Sequence, residues 1–357
     1  MYQFKLDFPI PKPDMKRYNE MLSIGFKNHP DRTENYKKYK NSKQTEDIDF
    51  FPIKADIENV SRCNLSCSHC LVSTFPNNKR AEDLTFEDFK DFIDEQIGLV
   101  EIKMQGLGEP FLQKDFTKMV EYATAKDIWI RTTTNGTVLH KNDNYKKIID
   151  ANVGEIQVSI DGATQETQGL IRPKSDLETI KNNCKLLNDY CDTKGIDYTR
   201  MWTVFQDKNL DESKALLYMA KEIGFKRVTF SIELREWENN DELNENIKES
   251  RIDKEIHQEW IEEHLAIAKN IGIELTFWHA TERFTNENIC MWPFERFLLS
   301  SEKQVVPCCI IADPSIASFG EYKQGQFKEL WFGKVLRDFR KAHIQGNIPD
   351  ICKACYH

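Results

Sequence analysis

Cys63, Cys67 and Cys70 carry the strongest chemical signal in the chain. They stand in the run Cys63-Asn64-Leu65-Ser66-Cys67-Ser68-His69-Cys70, a C-x3-C-x2-C spacing. Iron–sulfur clusters are normally held by four cysteines. This triad supplies three, so a four-iron cluster bound here keeps one iron without a protein ligand. An open metal position is where substrate chemistry takes place. The plainer alternatives are a structural zinc site or three buried thiols. Zinc asks for a fourth ligand close by, and His69 is the nearest candidate.

A second group lies toward the end of the chain. Cys290 and Cys308 flank a predicted hairpin with Trp292-Pro293-Phe294 and Val305-Val306-Pro307, and Cys352 and Cys355 follow as C-x2-C. Four thiolates fully ligate one [4Fe–4S] cluster or one zinc ion. Of the ten cysteines, Cys184, Cys191 and Cys309 remain. Cys184 and Cys191 share a helical face with Leu177, Ile180 and Leu187, which makes them small core hydrophobes. Cys309 adjoins a proposed ligand and is the alternative to Cys308.

The elements that position these groups follow from periodicity. Residues 1–51 are charged and weakly periodic, broken early by Pro9, Pro11 and Pro13, and read as an arm or small cap. From residue 52 strands and helices alternate. A strand over 53–60 runs into the triad. Thr85 and Asp88 form a capping box ahead of the stripe Phe86, Phe89, Phe92, Ile93 and Ile97. Further strands are predicted at 100–104, 128–134, 156–160, 198–205, 227–232 and 273–278. Helices fall between them at 116–125, 145–151, 177–190, 215–223 and 256–268. Such alternation means βαβ units and a parallel sheet. The number of units is too small for a closed eight-fold barrel, so the fold class is α/β, a partial (β/α)6 TIM-like barrel over 52–279. A small, metal-stapled domain over 280–357 follows. Function in parallel barrels collects at the C-terminal ends of strands, where the triad sits.

A length of 357 residues, 40% hydrophobic and 30% charged, describes a soluble globular chain. The net charge of −9 argues against nucleic acid as a main partner. No apolar run reaches the ~18 residues of a membrane span, and no secretory signal opens the chain. Cysteine clusters in such a protein point to metal or redox chemistry in a reducing, cytoplasmic compartment.

The triad loop after the first strand resembles the radical S-adenosylmethionine (SAM) superfamily. Other segments match it in order. Gly106-Leu107-Gly108-Glu109-Pro110 follows the second strand, Thr134-Asn135-Gly136 ends the third, and Ser159-Ile160-Asp161-Gly162 ends the fourth, with Arg172 beyond. The resemblance implies that Cys63, Cys67 and Cys70 hold a [4Fe–4S] cluster whose fourth iron takes the amino and carboxylate groups of SAM. It implies that one electron cleaves SAM to a 5′-deoxyadenosyl radical, which removes a hydrogen atom from substrate. Glu109 is placed against the SAM ammonium. Ser159 and Arg172 are placed against its ribose or carboxylate, and Gly108, Asn135 and Asp161 belong to the same cofactor site. The residue before Cys70 is often aromatic in the family; here it is His69.

The last region resembles the Twitch domain, the shortened relative of SPASM. This implies an auxiliary [4Fe–4S] cluster on Cys290, Cys308, Cys352 and Cys355. Leu330-Trp331 and Phe339-Arg340 match that group as well. By analogy with Twitch-bearing aminocyclitol dehydrogenases, the first expectation is oxidation of a hydroxyl-bearing carbon of a sugar-like molecule to a ketone. The auxiliary cluster would take an electron, and a flavodoxin or ferredoxin would supply the first. A radical epimerase with Cys309 as hydrogen donor and a peptide-modifying maturase share this chemistry. A non-catalytic metal-binding interaction protein would carry zinc and bind no SAM. Two weaker candidates are the acidic stretch 233–238 as a substrate contact and His279, after Trp278, as a base.

Overall fold

The computed structural model describes residues 6–356 apart from 233, 235, 238, 239 and 280–283. Among the described residues nine strands run in chain order: β1 Lys54–Ile57, β2 Glu101–Met104, β3 Trp129–Thr134, β4 Glu155–Ser159, β5 Thr199–Val204, β6 Arg227–Ser231, β7 Glu274–Trp278, β8 Leu298–Leu299 and β9 Val305–Val306. The alternation predicted from residue 52 is present, with element ends displaced by at most about three residues. Contacts divide the chain into two compact units. The first holds Met1–Pro13, Arg62–Arg80 and Thr132–Thr281. The second holds Asp14–Ser61, Ala81–Arg131 and Glu282–His357. The division falls inside β3.

In the first unit β4, β5, β6 and β7 pair side by side, all parallel, with Ser159 opposite Trp202 and Ser231 opposite Trp278. The helix Leu177–Thr193 buries Ile180, Cys184, Leu187 and Cys191, as its spacing predicts. Phe205, Phe230, Trp260 and Phe277 form an aromatic cluster with ring centroids 4.7–6.0 Å apart. Two helices, Gln165–Ile171 and Asp241–Ser250, were not expected from periodicity. The first is two turns long and contains Gly169, which gives too little pattern to read.

In the second unit β1 pairs in parallel with β2 on one side and β8 on the other, and β8 turns back antiparallel into β9. A hairpin is therefore present between Cys290 and Cys308, but its first strand is Leu298–Leu299; the expected arm Trp292-Pro293-Phe294 instead forms the helical turn Trp292–Glu295. Ala55, Ile57, Ile102 and Met104 are buried on one side of these strands. Lys54, Asp56, Glu101 and Lys103 alternate with them and project from the other. Thr85 Oγ1 accepts from Asp88 N at 3.0 Å and starts the helix Phe86–Glu95, which buries Phe89, Phe92 and Ile93. Each such side chain contributes about 1.5–3 kcal/mol. Ile97, expected on that stripe, is 41% exposed, because the helix stops at Glu95 and carries it out of register.

Residues 14–41, read as an arm or small cap, form the helices Met15–Asn28 and Pro30–Asn41. Hydrogen bonds rather than an apolar stripe hold the second helix. Arg32 Nη1 donates to Asp127 O at 3.1 Å, and Asn35 exchanges bonds with the backbone of Phe51 at 2.7 and 3.0 Å. A hydrophobic period cannot reveal a helix anchored this way. Later in the chain, Trp331 Nε1 donates to Phe50 O, and Arg340 donates to Pro293 O and Trp331 O.

Candidate functional site

The triad lies on an irregular loop of the first unit, and local bonds fix its course. Cys63 N donates to Asn78 O at 3.0 Å, and Asn78 Nδ2 donates to Leu65 O and Ser66 Oγ. Cys70 N donates to Cys67 O, and Ser73 N to Cys70 O, leading into the 3-10 turn Leu71–Thr74. Ser66 N and Ser68 N donate to Pro173 O and Ile171 O. Those two bonds bring the intervening Arg172 against the loop.

Donors meet the sulfurs. Arg172 Nη1 stands 3.9 Å from Cys67 Sγ, Asn135 Nδ2 stands 3.9 Å from Cys63 Sγ, and Leu65 N lies 3.5 Å from Cys63 Sγ. Arg172 is itself held by Asp161, with Nε 2.7 Å from Oδ2. Asp161 is fully buried and committed: Oδ1 accepts from Val204 N at 2.8 Å, and its backbone oxygen accepts from Asn209. Gly162 is required beside it, since a Cβ there would stand 2.3 Å from Gln168 N. Ser159 is half-buried at the end of β4, and its hydroxyl makes no hydrogen bond among the described residues.

Burial raises the Cys67 thiol despite Arg172 and pushes Cys70 up to about 12. Such thiols stay protonated until a metal charge displaces the proton. His69 goes the other way: burial lowers it to about 4, so its imidazole is neutral. Its Nδ1 lies 3.2 Å from Gln206 Nε2, and its carbonyl accepts from Trp237 Nε1 at 2.9 Å. Sequence reasoning missed both partners, which come from distant segments.

The second unit holds the other groups. Glu109 is buried, its Oε1 accepting from Phe111 N at 3.3 Å, and Gly108 precedes it on the same turn. Gly106 is there for Glu58: a Cβ would stand 2.2 Å from the Glu58 side chain. Glu58 in turn accepts from Leu107 N and Ser301 N, both at 3.0 Å. Cys290 interacts electrostatically with Cys355 and Cys309, and Cys308 with Cys309 and Cys352. Phe284 N donates to Cys355 O, and Cys290 N donates to the Tyr356 hydroxyl at 2.8 Å, which also meets His343 Nδ1 at 2.7 Å. Burial pushes Cys290 up to about 12 and raises Cys308 strongly. Cys308 packs against the Leu298, Val306 and Ile311 core, whereas Cys309 is exposed.

All ten cysteines are free thiols. Among the described residues no three or more Cys, His, Asp or Glu side chains converge on a point that a single ion could occupy. In a cluster each thiolate takes its own iron, so its ligands need not converge. Three thiols with N–H donors turned toward two of them fit that group. His279 is half-buried after β7. Within the acidic stretch, positions 233, 235 and 238 lie outside the described residues.

Comparison with known proteins agrees with this geometry. A model of the radical SAM superfamily matches residues 60–199, and one of an iron–sulfur cluster-binding domain, SPASM, matches 290–356. The mycofactocin maturase MftC of Mycolicibacterium smegmatis is 29% identical over 177 residues, covering 48% of this chain and 43% of the maturase. The chain thus spans less than half the length of that relative. The AdoMet-dependent heme synthase of Methanosarcina barkeri is 27% identical over 328 residues, covering 84% of this chain and 86% of the synthase. Among solved structures, Streptococcus suis SuiB bound to precursor peptide SuiA superposes with a TM-score of 0.61 at 14% identity. It covers 87% of this chain and 70% of that one. The fold is the expected open, partial barrel class of parallel strands, and the domains imply SAM and iron–sulfur clusters as cofactors. No helix among the described residues is long and apolar enough to cross a membrane.

Proposed function

The chain is a radical SAM protein with a C-terminal SPASM domain, and from that premise we propose that it removes a hydrogen atom from a peptide substrate and oxidises it. Bound SAM and the first cluster supply a 5′-deoxyadenosyl radical, and the second cluster supplies an acceptor for the electron that oxidation leaves. The rest is the work of the chain's own residues. Cys63, Cys67 and Cys70 hold the first cluster. Asn135 and Arg172 donate toward its sulfurs, as outer hydrogen bonds do when they orient and tune a metal site. Asp161 acts through Arg172 and positions it. The Ser159 hydroxyl, which makes no hydrogen bond among the described residues, is the SAM contact in the first unit.

Cys290, Cys308, Cys352 and Cys355 hold the second cluster. Cys308 is preferred to Cys309 because it is packed among core residues beside Ile351, while Cys309 is exposed. Cys309 is left as a hydrogen donor should the product be an epimer. A flavodoxin or ferredoxin in a reducing cytoplasm is the electron source.

The observation that carries the reaction class is the pair of donors, from Arg172 and Asn135, on the triad sulfurs. The maturase relative supports a peptide substrate, which moves ahead of a sugar-like one. A second reading, an S-adenosylmethionine-dependent step of heme synthesis, is favoured by a relative that matches over most of both chains.

The test is reductive SAM cleavage by the anaerobically reconstituted protein. Release of 5′-deoxyadenosine is expected from the native chain, and none from Cys67→Ala. A peptide fraction of host extract should raise the yield, and protease treatment should remove the effect. A protease-resistant stimulation would replace the peptide with a small molecule, and undiminished cleavage by Cys67→Ala would sink the whole reading.

A further inference from the structure

In the second unit, β1 and β2 carry charges where buried parallel strands ordinarily carry aliphatic residues. Lys54 and Asp56 lie in register beside Glu101 and Lys103, and Arg131 and Arg296 complete the group. Glu101 is well served. Arg131 Nε is at 2.9 Å, Lys54 Nζ at 3.8 Å, and the Tyr18 hydroxyl donates at 3.3 Å.

Asp56 is not served in this way. It is 2% exposed, and its buried Oδ1 accepts no hydrogen bond. Its one ion-pair partner among the described residues, Arg296 Nη1, stands 3.9 Å away. Arg296 Nε is buried and donates to nothing among the described residues, although the guanidinium lies over the Trp292 ring, 4.9 Å from its centroid. Lys103 makes no hydrogen bond and no ion pair among the described residues, although Asp56, Arg131 and Arg296 all act on it electrostatically. Apart from the cations that serve Glu101, Lys103 has no carboxylate within ion-pair distance among the described residues and Arg296 has only Asp56, at 3.9 Å. Partly buried charge without a close counter-ion is costly, so this surface is suited to an anion.

We propose that this face is a carboxylate-binding subsite in which Lys103 and Arg296 take a carboxylate of the substrate, and Asp56 accepts a neighbouring N–H. A peptide offers both groups, as an acidic side chain or as its carboxy terminus. The inference rests on the peptide reading above. Lys103 brings three rotatable donors and Arg296 a fixed fork of N–H donors, and charge-assisted bonds of this kind are the strong ones. The same ammonium interacts with Cys309, the exposed cysteine. A carboxylate anchored there orients the substrate relative to the candidate hydrogen donor.

The experiment is a ligand-observed NMR titration of the reconstituted protein. N-acetyl-L-glutamate α-amide tests the side chain as source, and N-acetyl-L-alanyl-L-alanine tests the carboxy terminus. Each is paired with its neutral amide isostere. At least one carboxylate is expected to bind about tenfold more tightly than its isostere. Lys103→Met should abolish that preference and Lys103→Arg should keep it. Equal binding of acid and isostere, no binding of either acid at millimolar concentration, or a preference that survives Lys103→Met would each overturn the proposal. If Lys103→Met does not fold, the acid and isostere comparison on the native protein still decides. The readout needs no SAM cleavage, so its failure is separate from failure of the peptide reading.

Discussion

Both units bury charges on the polar side of parallel strands, and they treat those charges in opposite ways. In the first unit, Arg200 Nε lies 3.3 Å from Glu155 Oε2. Its Nη1 reaches Thr229 and Thr276 at 3.3 and 3.4 Å, and its Nη2 donates to Lys12 O at 2.8 Å. Arg227 adds Nη1 to Glu155 at 3.1 Å, Nη2 to Asp197 O at 2.9 Å and Nε to Asp197 Oδ2 at 3.2 Å. Every guanidinium nitrogen has a hydrogen-bond partner except Arg227 Nε, which has the Asp197 ion pair alone. In the second unit, among the described residues, Asp56 and Arg296 meet only at 3.9 Å and Lys103 has no ion pair. A closed network is part of the frame, whereas an open, partly exposed one is accessible to something the fold does not provide.

The largest test of that contrast is Arg200→Met. It leaves Glu155 with one cation fewer and strips Lys12 O of its donor. Removing one partner of a buried pair costs about 3–5 kcal/mol. The low end is expected, because Arg227 still reaches Glu155. Urea unfolding measures it as a lowered midpoint at unchanged slope. A loss below about 1 kcal/mol would mean that the closed network carries no more of the frame than the open one.

How far each side of this contrast could be read beforehand follows from sequence distance. The triad was legible because its spacing is local, and the order of strand-end motifs followed because βαβ units repeat. Cys184 and Cys191 fell on a helical face and are core. The pairing of Arg172 with Asp161 was not legible, although both residues were singled out. It depends on the loop bonds at Ile171 and Pro173 that turn Arg172 toward Cys67. Glu58 behind Gly106, and Gln206 and Trp237 around His69, come from segments that no pattern links. The open charge group did leave a trace. Lys54-Ala55-Asp56-Ile57 and Glu101-Ile102-Lys103-Met104 alternate charge with core residues, which strands buried on both faces do not need.

A smaller effect separates two carboxylates within the second unit. Burial opposes ionisation of Glu101, but Arg131 and Lys54 hold it below its ordinary value. Asp56 is held above its own by burial, which Arg296 and Lys103 offset only in part. The signs are therefore opposite. Glu101 stabilises above the unfolded glutamate range, and that contribution is lost as pH falls through its lowered value. Asp56 keeps its proton in the fold after the unfolded chain has released it, so its contribution is lost as pH rises toward its raised value. Stability curves of Glu101→Gln and Asp56→Asn should diverge from the native curve in opposite directions between acid and neutral pH, the first falling below it and the second rising above it. Parallel curves would erase the distinction between a served and an unserved carboxylate.

The smallest expected change in stability belongs to Lys103→Met, and its smallness is the point. An ammonium with no ion pair gives the fold nothing to lose, and a methionine of similar length covers the same apolar surface without the burial cost. The variant should lie within about 1 kcal/mol of the native protein, on the stable side. Burial holds Lys103 below its ordinary value, so the native chain gains stability as pH rises from that lowered value toward the unfolded lysine range. The variant should lack this rise. Denaturation at neutral and alkaline pH measures both. If Lys103→Met instead costs as much as Arg200→Met, Lys103 belongs to the frame, and the carboxylate subsite loses the uncommitted cation on which it depends.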